Sequence, residues 1–597
     1  MDSKTRDVKK YESRVSRRAF LRAAGSGMLL TGASAAAISF TESTAYARQK
    51  WDREADIVVM GSGAAGSSAA LFAHEGGASV LMLEKAAIYG GTTAKSGGVC
   101  WIPNNFLMRN KGLEDQREDC IRYMARTAYP TLYSVKDNRF GLPESTYDLL
   151  AAYYDNASPT IDALRTMGVE PFTGWLAFDG TTCPDYWAHL PENKAPYGRA
   201  IVPAKPDGTG GNGALLIAKL KAAAEKRRIP VLMEHRANRL VLNSKGDVIG
   251  IEARTGDDHT VTVRARKGVI FGSGGFTSNP DLCLNFLRGP IFGGCTVPTG
   301  EGDFVYIGAG AGAKLANMNN AWWWQINLEQ ALQFRSVPSG IGYPPGDSMI
   351  LVNRFGRRCV NEKVQYNERT QSHFLWDPHT AAYPNLIQFM IYDQSCRERF
   401  TTNDEQLPAA FLHGLILKPG SSAPYVLAGQ SLEDLGRLID ARLAQISDKT
   451  GNLRLDSSFG ANLTETVSRF NQFAETGSDL DFHRGETPIE LAQFGPRRAG
   501  NNKPNKTMYP FSPTGPYYAV MLAGGTLDTK GGPKINAQAQ VVDDNDKPIR
   551  GLYGAGNCIA APAGQAYWAG GTTIGPALTF GALAAKAAVN EPIKELH

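Results

Sequence analysis

Residues 56–60 (DIVVM) form an apolar, β-branched run that passes at once into Gly61-Ser62-Gly63-Ala64-Ala65-Gly66 and an alanine-rich segment reaching Ala73. The run predicts a buried strand and the alanines a helix. A second apolar run, 79–83, ends in Glu84, 18 residues past Gly66. Strand, G-x-G-x-x-G, helix, strand and acid in this order form a dinucleotide-binding arrangement. Gly61 permits the turn, Gly63 lets backbone approach a pyrophosphate, and Gly66 lets the helix pack on the strand. Ser62, Ala64 and Ala65 complete the turn, while Glu84, followed by Lys85, is placed at the ribose hydroxyls. The motif alone leaves FAD and NAD both open.

A second glycine-rich loop, 90–98 (GGTTAKSGG), is too polar for a core element. Its backbone and hydroxyls suit the wall of a cofactor site, with Gly91, Thr92, Thr93, Ser96, Gly97 and Gly98 as candidate contacts. It contains neither His nor Cys, so it offers no covalent attachment point. Residues 211–227 predict a helix, followed by short strands over 230–233, 239–243, 248–253, 260–266 and 268–271. Ala237 falls among these strands as a further cofactor contact. The last strand runs into Ser273-Gly274-Gly275-Phe276, a turn expected to close back on the nucleotide.

Near the C-terminus, 551–585 (GLYGAGNCIAAPAGQAYWAGGTTIGPALTFGALAA) carries Tyr567, Gly570, Gly571 and then Gly575-Pro576-Ala577. Proline early in a helix costs no hydrogen bond, so this reads as a loop feeding a helix N-terminus. Such an end offers free N–H groups and positive dipole to a cofactor. Gly556, Asn557, Gly575, Ala577 and Leu578 are its candidate cofactor contacts. The nucleotide-binding domain is therefore discontinuous: 51–280 begins it, 281–496 is a separate inserted domain, and 497–597 completes it.

Residues 1–47 hold eight Lys/Arg against four Asp/Glu, so four of the chain's five net positive charges lie there. The remaining near-neutral body gives no electrostatic case for nucleic acid. Within that segment, Ser16-Arg17-Arg18-Ala19-Phe20-Leu21-Arg22 precedes a short apolar run and Ala45-Tyr46-Ala47. This pattern predicts a twin-arginine (Tat) signal peptide over 1–47 and a periplasmic or extracytoplasmic destination. The apolar run is too short and small-residue-rich to make a stable transmembrane segment. The eight cysteines include no C-x-x-C, so neither haem, iron–sulfur nor zinc is indicated and no metal site is expected. The run Trp322-Trp323-Trp324 reads as core packing.

Four segments together carry a family resemblance: 90–105 (GGTTAKSGGVCWIPNN), 463–488 (LTETVSRFNQFAETGSDLDFHRGETP), 515–533 (GPYYAVMLAGGTLDTKGGP) and 551–585. They resemble the 3-ketosteroid 1-dehydrogenases of the fumarate reductase/succinate dehydrogenase flavoprotein superfamily. The resemblance implies an α/β fold: a doubly wound, Rossmann-like FAD-binding domain, discontinuous, with an inserted α+β catalytic domain capping a noncovalent FAD. It implies that a tyrosine hydroxyl and a glycine N–H hold the substrate carbonyl, matched here by Tyr567 and Gly571. It also implies a tyrosine base, matched by Tyr366 after Asn361-Glu362, and an assisting tyrosine, matched by Tyr186 in Asp185-Tyr186 ahead of Gly198-Arg199. Trp568-Ala569 stands where the family has Pro-Gly.

These residue types suit removal of a proton and a hydride beside a ketone. Two donors on the carbonyl oxygen stabilise the enolate-like charge. A free tyrosine has a pKa of about 10, so Tyr366 needs a partner to act as base. A fumarate-reductase-like enoate reductase would grip carboxylates with Arg and His. The corresponding stretches, Asp528-Thr529-Lys530-Gly531-Gly532 and Ala563-Gly564-Gln565-Ala566-Tyr567, contain neither. The expected substrate is a small hydrophobic ketone, either a 3-ketosteroid desaturated at positions 1,2 or at its 4-ene, or another cyclic ketone. With FAD taking the one fingerprint, the electron acceptor is external, a quinone or redox protein.

Overall fold

The computed structural model describes residues 50–596 apart from 178–179, 402–413 and 495–499. The segment 1–47, expected to be an export signal, lies outside the described residues.

Strand β1 (Arg53–Met60) is central to the first sheet, and its last four residues are buried. It pairs in parallel with β2 (Val80–Leu83) on one side and β3 (Thr260–Phe271) on the other. Helix α1 (Ala64–Glu75) makes the crossover between β1 and β2. A parallel strand covered on both faces needs a continuous apolar run, which 57–60 supplies. β3 is one twelve-residue strand rather than the two pieces expected. Gly268 does not interrupt it, because the Tyr553 ring lies 3.0 Å from where a Cβ would sit. The glycine admits that ring and the strand continues, with an irregularity in its pairing to β1 between Ala265 and Gly268.

The second sheet is built around β4 (Tyr517–Thr529), thirteen residues of which twelve are buried. It lies antiparallel to Ala321–Asn327, Ile387–Asp393 and Leu427–Gly429, and parallel to Gly293–Gly294. Leu435, Ile439 and Leu443 from one helix and Leu463, Val467 and Phe470 from the next share its core. The division expected at 496/497 therefore does not follow the sheets. β4 centres the second sheet rather than completing the first, since its apolar faces pack on residues of 321–474. Helix α2 (Tyr366–Gln371) packs beside this sheet.

The chain returns to the first sheet with β5 (Pro548–Gly554), parallel to β3, and an edge strand at Gln540–Val542. It ends in α3 (Ile574–Val589), which packs along α1. The architecture is thus α/β, a doubly wound and discontinuous nucleotide-binding domain with an inserted α+β domain. Among the described residues no helix is long and apolar enough to cross a membrane.

Candidate active site

One cavity of about 1150 Å³ runs between the two sheets. Of the expected cofactor contacts, residues 62–65, 84–85, 91–93, 96–98, 237, 273–274, 556–557 and 577 line it. Two helices meet its wall at their N-termini, α1 at Gly63 and α3 at Thr573; neither is capped by its own N-cap side chain, and in α1 the Ala64 N–H donates to Thr93 Oγ1 at 3.1 Å. Helix-end N–H groups and aligned dipoles at one wall suit an anionic, electron-rich ligand. The glycine-rich turn, these two helix ends and the length of the cavity fit a dinucleotide.

Four expected contacts do not line the cavity. Gly66 packs the turn, since a Cβ there would lie 1.9 Å from the Gly61 carbonyl oxygen. The Gly275 N–H donates to Asp528 Oδ2 at 2.9 Å, fixing the turn after β3 to the end of β4. A Cβ on Gly575 would meet the Trp101 carbonyl and the Tyr153 hydroxyl at 2.4 and 2.5 Å, so this glycine serves helix packing. Leu578 is fully buried, and its carbonyl accepts from Ser68 Oγ at 2.7 Å, joining α3 to α1. Glu84 lines the cavity, but its carboxylate already accepts from Ser62 N and Oγ (3.0 and 2.7 Å) and Ala86 N (2.8 Å).

All three expected tyrosines come together at the other end. Tyr186 donates to the Tyr366 hydroxyl at 2.8 Å. The Tyr567 ring stacks on Tyr186 at 5.6 Å and meets Tyr366 edge-on at 5.2 Å. Gly571 also lines the cavity. Burial raises the Tyr567 phenol, while hydrogen bonds from Tyr366, Thr573 and the Gly571 backbone hold that rise down. Burial drives Tyr366 and Tyr186 well above the usual phenol range, with neighbouring phenols adding to it. The Tyr186 hydroxyl bond works against that rise at Tyr366.

Each tyrosine hangs on a buried support. Asp185, next to Tyr186, accepts from Trp101 Nε1 at 2.8 Å and pairs with Arg199, which also grips Asp115 through two bonds of 2.7 Å. Tyr366 follows Glu362, which takes two 2.8 Å bonds from Arg358; Arg358 in turn holds Asp479, and Arg484 reaches Glu362 at 3.2 Å. Lys530, buried and pushed well down by desolvation, donates to the Ala566 carbonyl at 2.6 Å beside Tyr567. The Trp568 side chain, at the position where the resemblance implies proline, is fully buried against Trp101 and Tyr153 (5.0 and 5.8 Å) and does not line the cavity. Its carbonyl accepts from Tyr186 N at 3.0 Å and the Tyr123 hydroxyl at 2.6 Å, tying the loop of Tyr567 to that of Tyr186.

The family model for the FAD binding domain matches residues 56–574. The chain belongs to the FAD binding domain family. This flavoprotein is an FAD-dependent oxidoreductase, and within the family it is 3-oxosteroid 1-dehydrogenase-like. It is 32% identical to the 3-oxosteroid 1-dehydrogenase of Mycolicibacterium smegmatis over 587 residues, covering 89% of this chain and 97% of that one. It is 29% identical to the 4-oxocyclohexanecarboxylate 2-dehydrogenase of Sinomonas cyclohexanicum, covering 89% and 92%. Among solved structures, the 3-ketosteroid delta1-dehydrogenase of Sterolibacterium denitrificans in complex with 1,4-androstadiene-3,17-dione superposes with a TM-score of 0.73 at 25% identity, over 90% of this chain and 99% of that one.

Several residues of the site in this flavoprotein escape local pattern reading. Tyr343 lines the cavity and meets Tyr366 edge-on at 6.3 Å. Its signal was a tyrosine set between Gly342 and Pro344, a stiff and turn-prone context. Of the three tryptophans, Trp322 and Trp323 are buried core as expected, while Trp324, on the same strand face as Trp322, is only half-buried. Trp322 abuts Tyr567 at 5.3 Å, and Trp324 lines the cavity over Tyr366 at 4.0 Å. Only strand register distinguishes them, and three identical residues in a row conceal it.

Proposed function

We propose that this flavoprotein desaturates a cyclic ketone, introducing a C=C bond next to the carbonyl, with the A ring of a 3-ketosteroid (positions 1,2) as substrate. The observation that carries this reading is the convergence of Tyr186, Tyr366, Tyr567 and Gly571 at one end of a cavity whose other end is the dinucleotide fingerprint. FAD, when bound, supplies the two-electron acceptor for the oxidation. The Tyr567 hydroxyl and Gly571 N–H hold the carbonyl oxygen and stabilise charge developing on it. Tyr366 takes the proton from the carbon next to the carbonyl, and Tyr186, already donating to Tyr366, stabilises its ionised form. The relatives that act on 3-oxosteroids and on 4-oxocyclohexanecarboxylate support a cyclic ketone, and their names differ in the frame that carries it.

FAD is held without a covalent bond in this reading. The loop 90–98 has no His or Cys. Of the cavity-lining candidates, the Cys295 thiol is pushed up to about 12 by burial, and His235 Nδ1 lies 2.7 Å from the Met233 carbonyl. Acid precipitation should release all flavin into the supernatant, and yellow pellet protein would contradict this. Electrons leave to an external quinone or redox protein, and residues 1–47 direct the folded holoprotein through the Tat route. Unprocessed chain confined to the cytoplasm on fractionation would remove the export reading.

The deciding experiment is anaerobic mixing of the FAD-loaded protein with a 3-ketosteroid and, separately, with 4-oxocyclohexanecarboxylate. Bleaching of the flavin by the steroid supports the proposal. Bleaching by the carboxylate alone moves the substrate to small cyclic ketones, and no bleaching by any cyclic ketone sinks the dehydrogenase reading.

A further inference from the structure

The helix that carries Tyr366 also carries a buried charge that the chemistry above leaves unused. Arg369 lies three residues further along α2 and is fully buried. Its nitrogens donate to Gln325 Oε1 (2.5 Å), Val364 O (2.7 Å), Ile341 O (2.6 Å) and Gly342 O (3.1 Å). Among the described residues no carboxylate pairs with it. The nearby acids are already matched, Glu362 and Asp479 against Arg358 and Arg484. A guanidinium bonded only to neutral oxygens keeps its whole charge in surroundings where charge reaches further than in water.

The bonds of Arg369 also have a mechanical consequence. Ile341 and Gly342 begin the loop that presents Tyr343, and Lys363 holds the next part of that loop through the Pro344 and Gly346 carbonyls at 2.7 and 2.6 Å. Two cations from the segment of Tyr366 thus pin the loop of Tyr343 in place, and both phenols line the cavity. The titratable groups that face Arg369 are Tyr343, Tyr366, Glu362 and His373. Burial lowers the Arg369 guanidinium, but an arginine keeps its proton in proteins, so its charge is present throughout the titration of the phenols. Burial lowers His373 to about 4, so it adds no charge there.

We propose that Arg369 is a positioning residue for the base: it docks Tyr343 beside Tyr366 and lends its unpaired charge to the ionised state of that tyrosine pair. Burial opposes ionisation of both phenols, and a fixed positive charge is the direct counterweight to burial. The inference rests on Tyr366 being the base of the proposed reaction. Its test is chosen to stand apart from that reaction.

Tyrosinate absorbance is titrated in the FAD-loaded full chain, and the difference between wild type and Tyr366→Phe isolates the ionisation of Tyr366. The same difference taken in an Arg369→Gln background is expected to move to higher pH by at least about one unit, a tenfold change in acidity. Arg369→Lys, which keeps the charge, should recover most of that shift. Gln325→Glu is the second variant: it sets a carboxylate against the guanidinium and cancels its charge while leaving the loop bonds in place. It should reproduce the alkaline shift, and the pH profile of flavin reduction should follow. Midpoints in Arg369→Gln and Gln325→Glu that coincide with wild type overturn the proposal even if activity falls, because a mere loop clamp does not move an ionisation. A displaced titration in a protein that no ketone reduces would uphold Arg369 and remove the proposed function instead.

Discussion

The two ends of the cavity are made in different ways. At the nucleotide end the wall is largely backbone, supplied by short stretches: a glycine turn, the N-terminus of α1 and the 90–98 loop. At the tyrosine end the wall is side chain, and Tyr186, the pair Tyr343 and Tyr366, and Tyr567 arrive from three distant parts of the chain. Their positions depend on buried ion clusters and on the Trp568 carbonyl, which tie residues next to the tyrosines to distant parts of the chain. Holding the cofactor and transforming the substrate are therefore separable, and substitutions should split them cleanly.

The largest effect belongs to the nucleotide end. Gly66→Val places a side chain 1.9 Å from the Gly61 carbonyl, so the turn must open. The purified variant is expected to carry almost no FAD and to lose about 2–3 kcal/mol of stability, as overpacking does. Flavin-to-protein absorbance ratio and denaturant unfolding report the two quantities. A fully yellow Gly66→Val protein would break the assignment of that end.

Next come the tyrosines, with the opposite signature. Tyr567→Phe removes one carbonyl donor and should lower turnover by about 10²–10³-fold while FAD content stays at the wild-type level. Tyr366→Phe should slow flavin reduction by about 10²–10⁴-fold, the range of a lost general base. Rapid-mixing reduction of the flavin measures both. Near-normal rates in Tyr567→Phe would remove it as the oxyanion donor, and loss of FAD in either variant would blur the contrast between the ends.

What could be read from sequence follows the same division. β1, α1, β2 and Glu84 were legible because their signals, apolar runs and glycine spacing, are local. The tyrosines were legible only through family resemblance, since nothing local separates Tyr186 or Tyr366 from the protein's other tyrosines. β4 was misjudged because the glycines of 515–534 read as turns, whereas 517–529 is one buried strand of the second sheet. Gly275, Gly575 and Leu578 lie beside true cavity residues, but their contacts face Asp528, Trp101, Tyr153 and Ser68 instead. Sequence adjacency to a site says little about which way a backbone turns.

Trp568 sharpens the comparison from a third direction. It departs from the family pattern, yet its ring lies in the stack with Trp101 and Tyr153 and away from the cavity. Trp568→Phe should cost about 1–3 kcal/mol, as large-to-small core changes do. The ranking of ketone substrates should be unchanged, because no cavity wall moves. A changed substrate ranking at unchanged stability would show that position 568 acts on the substrate after all.

The smallest effect separates the two supports of the tyrosine end. Burial alone would raise Glu362 and Asp479, but their bonds with Arg358 hold both below the ordinary carboxylate range. Asp185 is different: burial prevails, and its carboxyl stays raised despite Arg199 and Trp101. A carboxyl lowered on folding stabilises the protein above its unfolded pKa of about 4, and that contribution is lost as pH falls through the folded value. A carboxyl raised on folding binds its proton more tightly in the folded state, so acidification removes no stability through it. Between about pH 4.5 and pH 3 the support beneath Tyr366 should therefore loosen before the support beneath Tyr186. Hydrogen exchange followed by mass spectrometry can compare peptides covering 358–366 and 479–484 with those covering 182–199. Earlier loss of protection in the first group is the expected result. Loss in the reverse order would mean that the Arg358 cluster is not what holds Tyr366 in place.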